Sequence, residues 1–278
     1  MAKGCPDMSN DDQSPRKAYK DDQFLNSAEA RSIRILSELI EPENRLKDEN
    51  VSDVIVFFGS ARIHSHDEAQ KILMAAKNNG EDITRAESDL SMSKYYEDAR
   101  TLANRLTSWS KELENNNRRF LICSGGGPGI MEAANRGASE ANGINIGFNI
   151  SLPHEQHHNP FITRELNFEF HYFFMRKFWF MYLAKALVVF PGGFGTLDEL
   201  FEALTLIQTK KLKKRLPIVL FGKTFWSDVL NLEALVKHGT ISENDLDLFL
   251  ETDSVDQAFE FITSELSEYA LESPGAIL

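Results

Sequence analysis

The chain is poor in cysteine and in basic residues. Of its 278 residues, only Cys5 and Cys123 are cysteines, and they lie far apart. This count excludes a disulfide framework and gives no cysteine spacing suited to zinc. Lysine and arginine together number 30 against 42 acidic residues, so the formal net charge is −12. Such an acidic excess argues against nucleic acid or an anionic membrane as partner.

Long apolar runs are absent as well. The sequence has no stretch near the roughly 20 apolar residues that a membrane-spanning helix needs, and we see no secretory signal. We therefore expect a cytoplasmic protein without a membrane partner. The one basic cluster, KKLKKR at residues 210–215, is interpreted as the end of a helix, where cations suit the helix dipole.

The most informative segment is a glycine turn. Residues 186–190 form an apolar run typical of a buried parallel strand. Residues 191–199, PGGFGTLDE, follow, and helical spacing continues over 200–206. Glycines let a ligand approach the backbone closely, and a helix start binds phosphate through its free N–H groups and dipole. We expect Thr196 at the N-cap. Glu199, three residues on, either caps the helix or faces a ligand.

A second glycine loop occurs at residues 123–131, CSGGGPGIM. It follows an apolar run at 120–123 and opens a predicted helix at 130–142. Because the carboxyl ends of parallel strands meet at one edge of a sheet, we expect both loops to line one crevice. The loop lacks the GxGxxG spacing, which disfavours a dehydrogenase site.

These segments resemble the LONELY GUY (LOG) family. Residues 191–199 match the signature PGGxGTxxE, and residues 175–177, MRK, match the family's upstream Arg-Lys pair. Residues 58–62, FGSAR, look like the family's first strand-turn, and 124–131 like its second. The resemblance spans about residues 50–265, and the longer N-terminal part is similar to the second type of LOG protein.

The resemblance implies a Rossmann-like phosphoribohydrolase. Such enzymes cut the N-glycosidic bond of nucleoside 5′-monophosphates, here AMP or cytokinin riboside 5′-monophosphate, to free base and ribose 5-phosphate. It also implies no metal, no cofactor, and a dimer or hexamer with active sites near the subunit boundary. Many members carry the label "lysine decarboxylase-like". That chemistry normally uses a pyridoxal phosphate lysine, and no lysine here suggests one. A non-catalytic nucleotide carrier or molybdenum-cofactor carrier, which has a related fold, is the alternative.

Arg176 and Glu199 are the candidate catalytic residues. Cleavage of an N-glycosidic bond gives the sugar oxocarbenium character, which a nearby carboxylate can stabilise while it orients water. Arg176 lies in a predicted apolar helix and must find an anion there, because a lone buried charge is costly. The resemblance implies that the two form the catalytic pair. A helix cap for Glu199 and a structural ion pair for Arg176 remain open alternatives.

The candidate substrate-binding residues lie in or near these motifs. They are Gly59, Ser60, Arg62, Gly125, Gly126, Met175, Lys177, Gly192, Gly193, Phe194, Gly195, Thr196 and Thr205. Lys177 is adjacent to Arg176 on the helix, so we expect it to do a different job. Residues 152–159 contain three histidines and a glutamate, for which substrate contact is favoured over a metal site.

Alternating apolar runs and helical patterns predict an α/β fold. We expect a single Rossmann-like, doubly wound parallel sheet with helices on both faces. Predicted strands are 51–58, 120–123, 144–150, 166–170, 186–190 and 217–221. Predicted helices are 27–39, 66–78, 95–113, 130–142, 173–183, 196–211 and 255–269, with 79–93 as an insertion or connection. The expected division is an N-terminal tail and helix (1–50, with 1–23 loosely attached), a catalytic domain (51–270) and a tail (271–278).

The predicted helix 173–183 has apolar residues on nearly every side. A surface helix of a monomer should show a polar face, so this helix is expected to be buried in the core or under another subunit. We therefore predict a homo-oligomer, at least a dimer, with this helix and the one after Gly195 near the interface. The alternative is a monomer that covers the helix completely.

Overall fold

The computed structural model describes residues 15–113, 118–152 and 158–275. The chain forms two compact units, residues 1–41 and 42–278. In the first unit, a 3-10 turn at Ala18–Lys20 precedes helix α1 (Asp22–Leu25), and helix α2 (Arg31–Asp48) begins. Asp21 caps α1 by accepting the Phe24 N–H. The domain division suggested by the sequence, at residues 50 and 270, stays a prediction.

A single sheet of seven parallel strands forms the second unit, in the order β4-β3-β2-β1-β5-β6-β7. The strands are β1 (Val54–Phe58), β2 (Leu121–Ser124), β3 (Asn145–Ile150), β4 (Asn167–Phe170), β5 (Ala184–Val189), β6 (Ile218–Phe221) and β7 (Leu250–Thr252). The order reverses between β1 and β5. In such sheets, ligands bind outside the carboxyl ends of the strands where the order reverses. The predicted fold class is confirmed.

Eight helices complete this unit besides the end of α2, within the described part of the chain. They are α3 (His66–Asn79), α4 (Thr84–Glu112), α5 (Ile130–Glu140), α6 (Phe173–Leu183), α7 (Phe194–Gln208), α8 (Lys223–Val229), α9 (Leu232–Lys237) and α10 (Val255–Tyr269). Two 3-10 segments lie at Arg164–Leu166 and Glu243–Leu248. None of the described helices is long and apolar enough to cross a membrane.

Side chains that alternate along β1 build a core on each face of the sheet. Ile55 and Phe57 belong to a large buried cluster with residues of α4, α5 and α10. On the opposite face, Phe58 packs edge-on against Phe180 of α6, with ring centroids 5.1 Å apart. Helices therefore cover both faces. Cys123 of β2 is a fully buried free thiol.

All six predicted strands are present, with ends within three residues of prediction, and α6 and α10 have the predicted bounds. The interpretation of 79–93 as a connection is wrong, because α4 begins at Thr84. The early part of α4 is polar, yet Ala86 and the half-buried Leu90 pack with Leu73 of α3. Strand β7 and helices α8 and α9 were not predicted.

The basic cluster at 210–215 does not end its own helix, since α7 ends at Gln208. Instead, Lys214 Nζ donates to the carbonyl oxygens of Met181 (2.7 Å) and Tyr182 (2.8 Å) in the last turn of α6. Burial lowers the pKa of Lys214 to about 7. The basic cluster therefore places a lysine at the carboxyl end of a helix, but that helix is α6 and not α7.

The amino-terminal edge of the sheet holds a buried ion pair. Arg119 Nε and Nη2 donate to Asp53 Oδ2 at 3.0 and 2.8 Å. Arg119 also donates to the carbonyl oxygens of Ala270 (2.7 Å) and Leu271 (2.6 Å). Asp53 Oδ1 accepts the Phe120 N–H at 2.9 Å. The pair joins β1, β2 and the segment after α10.

Candidate active site

A cavity of about 710 Å³ opens at the carboxyl edge of the sheet, where the strand order reverses. Both glycine loops and the turn after β1 line it, as the sequence analysis predicts. The candidate residues in its wall are Gly59, Ser60, Arg62, Gly125, Arg176, Gly192, Gly193, Phe194, Gly195, Thr196 and Glu199. Among the described residues, no group of acidic, histidine and cysteine side chains could hold a metal ion.

The start of α7 forms one wall of this cavity. Gly193 is the N-cap, and no side chain caps the helix. Thr196 is the third helical residue, so the expectation of Thr196 at the N-cap is wrong. Because the helix begins at Phe194, the N–H groups of residues 194–196 have no acceptor among the described residues. A side chain at Gly192 would overlap Thr196, which explains the need for glycine there.

Arg176 of α6 and Glu199 of α7 meet inside the cavity. Arg176 Nη2 lies 3.3 Å from Glu199 Oε1, and the two side chains are 12% and 11% exposed. Arg176 Nε is buried and has no hydrogen-bond acceptor in the described structure. Glu199 is the sixth residue of α7, too deep to reach the N-cap. Its interpretation as a helix cap is therefore wrong.

Burial controls the titration of this pair. It raises the pKa of Glu199 to about 7, against the opposing effect of the Arg176 charge. Burial also lowers the pKa of Arg176, while Glu199 acts in the other direction. The raised pKa of Glu199 shows that one ionic contact of 3.3 Å does not offset the loss of water around the carboxylate.

Lys177 points away from the cavity, as its position beside Arg176 predicts. Its ammonium lies 3.0 Å from Asp198 and 2.9 Å from Glu202. Met175, Lys177, Gly126 and Thr205 are not part of the cavity wall. Thr205 instead lines a shallow groove on the outer side of α7.

The turn after β1 connects the two glycine loops. Ser60 N donates to the Pro191 carbonyl at 3.0 Å, and the Ser60 carbonyl accepts from Ile130 N at 3.1 Å. Ser60 Oγ accepts from Arg62 N at 3.1 Å. A side chain at Gly59 would overlap Ile130. Three turns from three strands are thus held together around the cavity.

A family model matches the part of the chain that contains both signatures. Residues 131–262 match the model of the family described as "Possible lysine decarboxylase". The resemblance to the LOG-like family is confirmed. No curated protein matches the chain significantly.

Solved structures with a similar fold include TM1055, at 19% identity and a TM-score of 0.47, covering 76% of this chain and 99% of that one. The molybdenum cofactor binding protein from the phototrophic bacterium Rippkaea orientalis has 16% identity and a TM-score of 0.44, covering 77% and 96%. The Moco carrier protein from Chlamydomonas reinhardtii has 18% identity and a TM-score of 0.43, covering 78% and 99%.

The candidate residues chosen from the sequence omit part of the cavity wall. The further lining residues are Phe58, Ala61, Gly127, Met131, Asn149, Ile150, Leu152, Glu169, Phe173, Leu197, Phe225 and Val229. Phe225 and Val229 lie on α8, which was not predicted. Asn149 is the second-last residue of the predicted strand 144–150, and its place near the carboxyl end is the signal that could have found it.

Glu169 is held at the cavity by two polar neighbours. Ser151 Oγ donates to Glu169 Oε1 at 2.7 Å, and His158 Nε2 lies 3.1 Å from Oε2. Of the histidine-rich segment 152–159, Leu152 lines the cavity and Asn159 is buried. Residues 153–157, with the other two histidines and the glutamate, lie outside the described residues.

Proposed function

We propose that the protein is a nucleoside 5′-monophosphate phosphoribohydrolase. It would hydrolyse the N-glycosidic bond of AMP or a cytokinin riboside 5′-monophosphate to free base and ribose 5-phosphate. The observation that carries the proposal is the buried Arg176–Glu199 pair beside an uncapped helix start, in one cavity. The reaction needs no cofactor, and we assign it to the cytoplasm.

The 5′-phosphate is assigned to the start of α7. The free N–H groups of residues 194–196 and the helix dipole favour an anion at this position, and Gly193 carries no side chain that blocks it. Ser60 and Arg62 line the same cavity and supply a hydroxyl and a cation. This arrangement predicts a preference for nucleotides over nucleosides.

In the proposed reaction, Glu199 acts as a carboxylate. Water adds its oxygen to the anomeric carbon and the bond to the base nitrogen breaks. The bonding electron pair goes to the base, which takes up a proton from solvent, while Glu199 accepts the proton lost by the water and then releases it to solvent. The same carboxylate stabilises the positive charge that develops on the sugar. Arg176 orients Glu199 and favours its charged form.

Incubation with a panel of 5′-monophosphates tests the proposal. AMP should yield adenine and ribose 5-phosphate, separated by chromatography, and adenosine should be a far poorer substrate. Asp198→Asn is the matched control for Glu199→Gln. It removes a neighbouring carboxylate that does not line the cavity, and the variant should retain activity within about threefold. Binding of AMP without release of adenine would favour the non-catalytic carrier, and equal rates for AMP and adenosine would contradict the phosphate site.

We also propose a homo-oligomer, at least a dimer. The single chain does not cover α6 completely, since Phe173 and Phe174 are 52% and 54% exposed, so the alternative of a monomer that covers this helix is wrong. On α7, Phe194 is 93% exposed and Phe201 37%. Exposed aromatic residues on neighbouring parts of the chain support a surface that another subunit covers. Light scattering at micromolar concentration tests this, and a mass near 31.5 kDa would contradict it.

A further inference from the structure

The peptide between Gly126 and Gly127 has a fixed orientation. The Gly126 carbonyl accepts from Asn159 N at 2.9 Å and from Asn159 Nδ2 at 3.1 Å. The Gly127 carbonyl accepts from the same Nδ2 at 3.2 Å. In a trans peptide, the C=O and the following N–H point in opposite directions. Asn159 therefore turns the N–H of Gly127 away from itself.

The Gly127 N–H has no hydrogen-bond acceptor in the described parts of the chain. Gly127 is nevertheless buried and lines the cavity. Its neighbour differs, because Gly126 N donates to Ser124 Oγ at 3.1 Å. Buried backbone donors are nearly always paired, so one that remains free beside a cavity calls for an explanation. A bound ligand atom would supply the missing acceptor.

Asn159 is itself held by a buried polar network. Asn135 Oδ1 accepts from Asn159 Nδ2 at 2.9 Å and from Ser124 Oγ at 2.6 Å. Asn135 Nδ2 donates to Asn145 Oδ1 at 2.9 Å and to the Ile146 carbonyl at 3.1 Å. Asn135, Asn145 and Asn159 are all buried. A satisfied buried network of this kind makes a side chain rigid, so the orientation of the Gly126–Gly127 peptide is preset.

The loop lies next to the Arg176–Glu199 pair. A Cβ at Gly125 would sit 3.8 Å from Arg176 Nη1, and Arg176 contacts Glu199 at 3.3 Å. In the proposed reaction, Glu199 acts at the anomeric carbon and the phosphate lies at the start of α7. A donor on the Gly125–Gly127 side therefore faces the sugar that joins these two points.

We propose that Asn159 is a positioning residue that sets the Gly127 N–H to donate to a hydroxyl oxygen of the bound sugar. The identity of the ligand rests on the proposed function; the orientation of the peptide does not. This contact to the sugar is distinct from the proposed phosphate contacts at the start of α7.

Binding measurements test the inference apart from turnover. Calorimetry in a Glu199→Gln background compares AMP, 2′-deoxy-AMP and 3′-deoxy-AMP, because that background is expected to slow hydrolysis during the titration. With Asn159 intact, one deoxy analogue should bind about tenfold more weakly than AMP, the effect of one lost hydrogen bond. Asn159→Ala should reduce that difference to less than about threefold and leave the affinity for inorganic phosphate unchanged.

Asn104→Ala is the matched control. Asn104 also donates its amide to a glycine carbonyl, that of Gly137 at 3.1 Å, and it does not line the cavity. This variant should keep the discrimination between AMP and its deoxy analogues. A loss of discrimination in both variants would show a general structural effect and overturn the inference.

Amide resonances give a second readout, which can be measured in the wild type as well as in Asn159→Ala. In protein labelled with 1-¹³C,¹⁵N-glycine, only Gly126, Gly127 and Gly193 follow another glycine, so a carbonyl-filtered spectrum contains three amides. AMP should shift Gly127 downfield through the sugar contact and Gly193 through the phosphate site. In Asn159→Ala, the Gly127 response should disappear and the Gly193 response should remain.

The outcomes separate the two proposals. A Gly127 amide that AMP leaves unmoved while Gly193 moves overturns the sugar contact and leaves the hydrolase intact. Failure of the wild type to release adenine from AMP, with the Gly127 response present, overturns hydrolysis and leaves the contact intact. Loss of both amide responses in Asn159→Ala shows that Asn159 supports the whole cavity, which also overturns the inference.

Discussion

Two buried arginine–carboxylate pairs lie at opposite edges of the sheet, and they are built differently. At the amino edge, Arg119 contacts Asp53 through two nitrogens, and the remaining donors and acceptors bind backbone groups. At the carboxyl edge, Arg176 and Glu199 share one contact of 3.3 Å, Arg176 Nε has no described acceptor, and both side chains line a cavity.

The difference separates a fully hydrogen-bonded pair from the pair that we propose to be catalytic. A buried charge pair stabilises a protein only when additional hydrogen bonds satisfy its remaining atoms, as at Asp53. The pair at Glu199 lacks those bonds, and its carboxyl pKa is raised to about 7. Incomplete pairing leaves Glu199 able to gain and lose a proton near neutral pH, which suits an acid–base role.

The largest effect is expected from Glu199→Gln. It keeps the side-chain size and removes the charge, so turnover of AMP should fall by roughly two to four orders of magnitude, as for a catalytic acid–base group. Steady-state kinetics measures the loss, and circular dichroism checks the fold. If this variant turned over AMP at the wild-type rate, the Arg176–Glu199 pair would have a structural role only, like the Arg119–Asp53 pair.

Asp53→Asn should have the opposite profile. It leaves the buried Arg119 charge without its partner, which costs about 3–5 kcal/mol of folding stability. At a temperature where the variant is folded, its KM and kcat should stay near the wild-type values, because Asp53 is far from the cavity wall. Urea denaturation measures the cost. A loss below about 1 kcal/mol would remove the contrast between the two pairs.

Stability should depend on pH through Glu199. Its folded-state pKa is raised from 4.5 to about 7, so the native state holds a proton that the unfolded chain has released. This contribution is full below pH 4.5 and is lost as the pH rises through 7, by roughly 2 kcal/mol between pH 5.5 and 8. Urea denaturation of wild type and Glu199→Gln at both pH values isolates it, and parallel curves would contradict the raised pKa.

An exposed pair completes the comparison with the smallest expected effect. Lys47 and Glu43 on α2 lie 2.6 Å apart with side chains 68% and 45% exposed. Glu43→Gln should leave the unfolding free energy almost unchanged, because water and salt screen an exposed pair. A cost comparable to that of Asp53→Asn would mean that burial does not set the value of these pairs.

Local sequence patterns predicted most of the fold. Apolar runs located six strands because central parallel strands are buried on both faces. The helix at 84–94 was missed because its few apolar residues gain their burial from α3, a tertiary contact that no local pattern contains. Strand β7 has three residues and lies at the sheet edge, which is too short for periodicity to reveal.

The candidate site was likewise predictable only in part. The two signatures brought Arg176 and Glu199 together because strand order places α6 and α7 beside one crevice. The raised pKa of Glu199 could not be predicted, since it depends on burial. Asn159 and Asn135 carry no pattern at all in the sequence. Their role follows from hydrogen bonds between residues that are distant along the chain.

Cys123, buried in β2 directly before the second glycine loop, is a chemical probe of local opening in this part of the sheet. The thiolate is the form of cysteine that attacks alkylating reagents, and burial raises the pKa of this thiol well above its usual range. The thiol therefore reacts only when the strand opens, and its rate of modification counts those openings. A nucleotide bound beside this loop should slow the modification, and mass spectrometry of the peptide containing Cys123 would measure the change in rate.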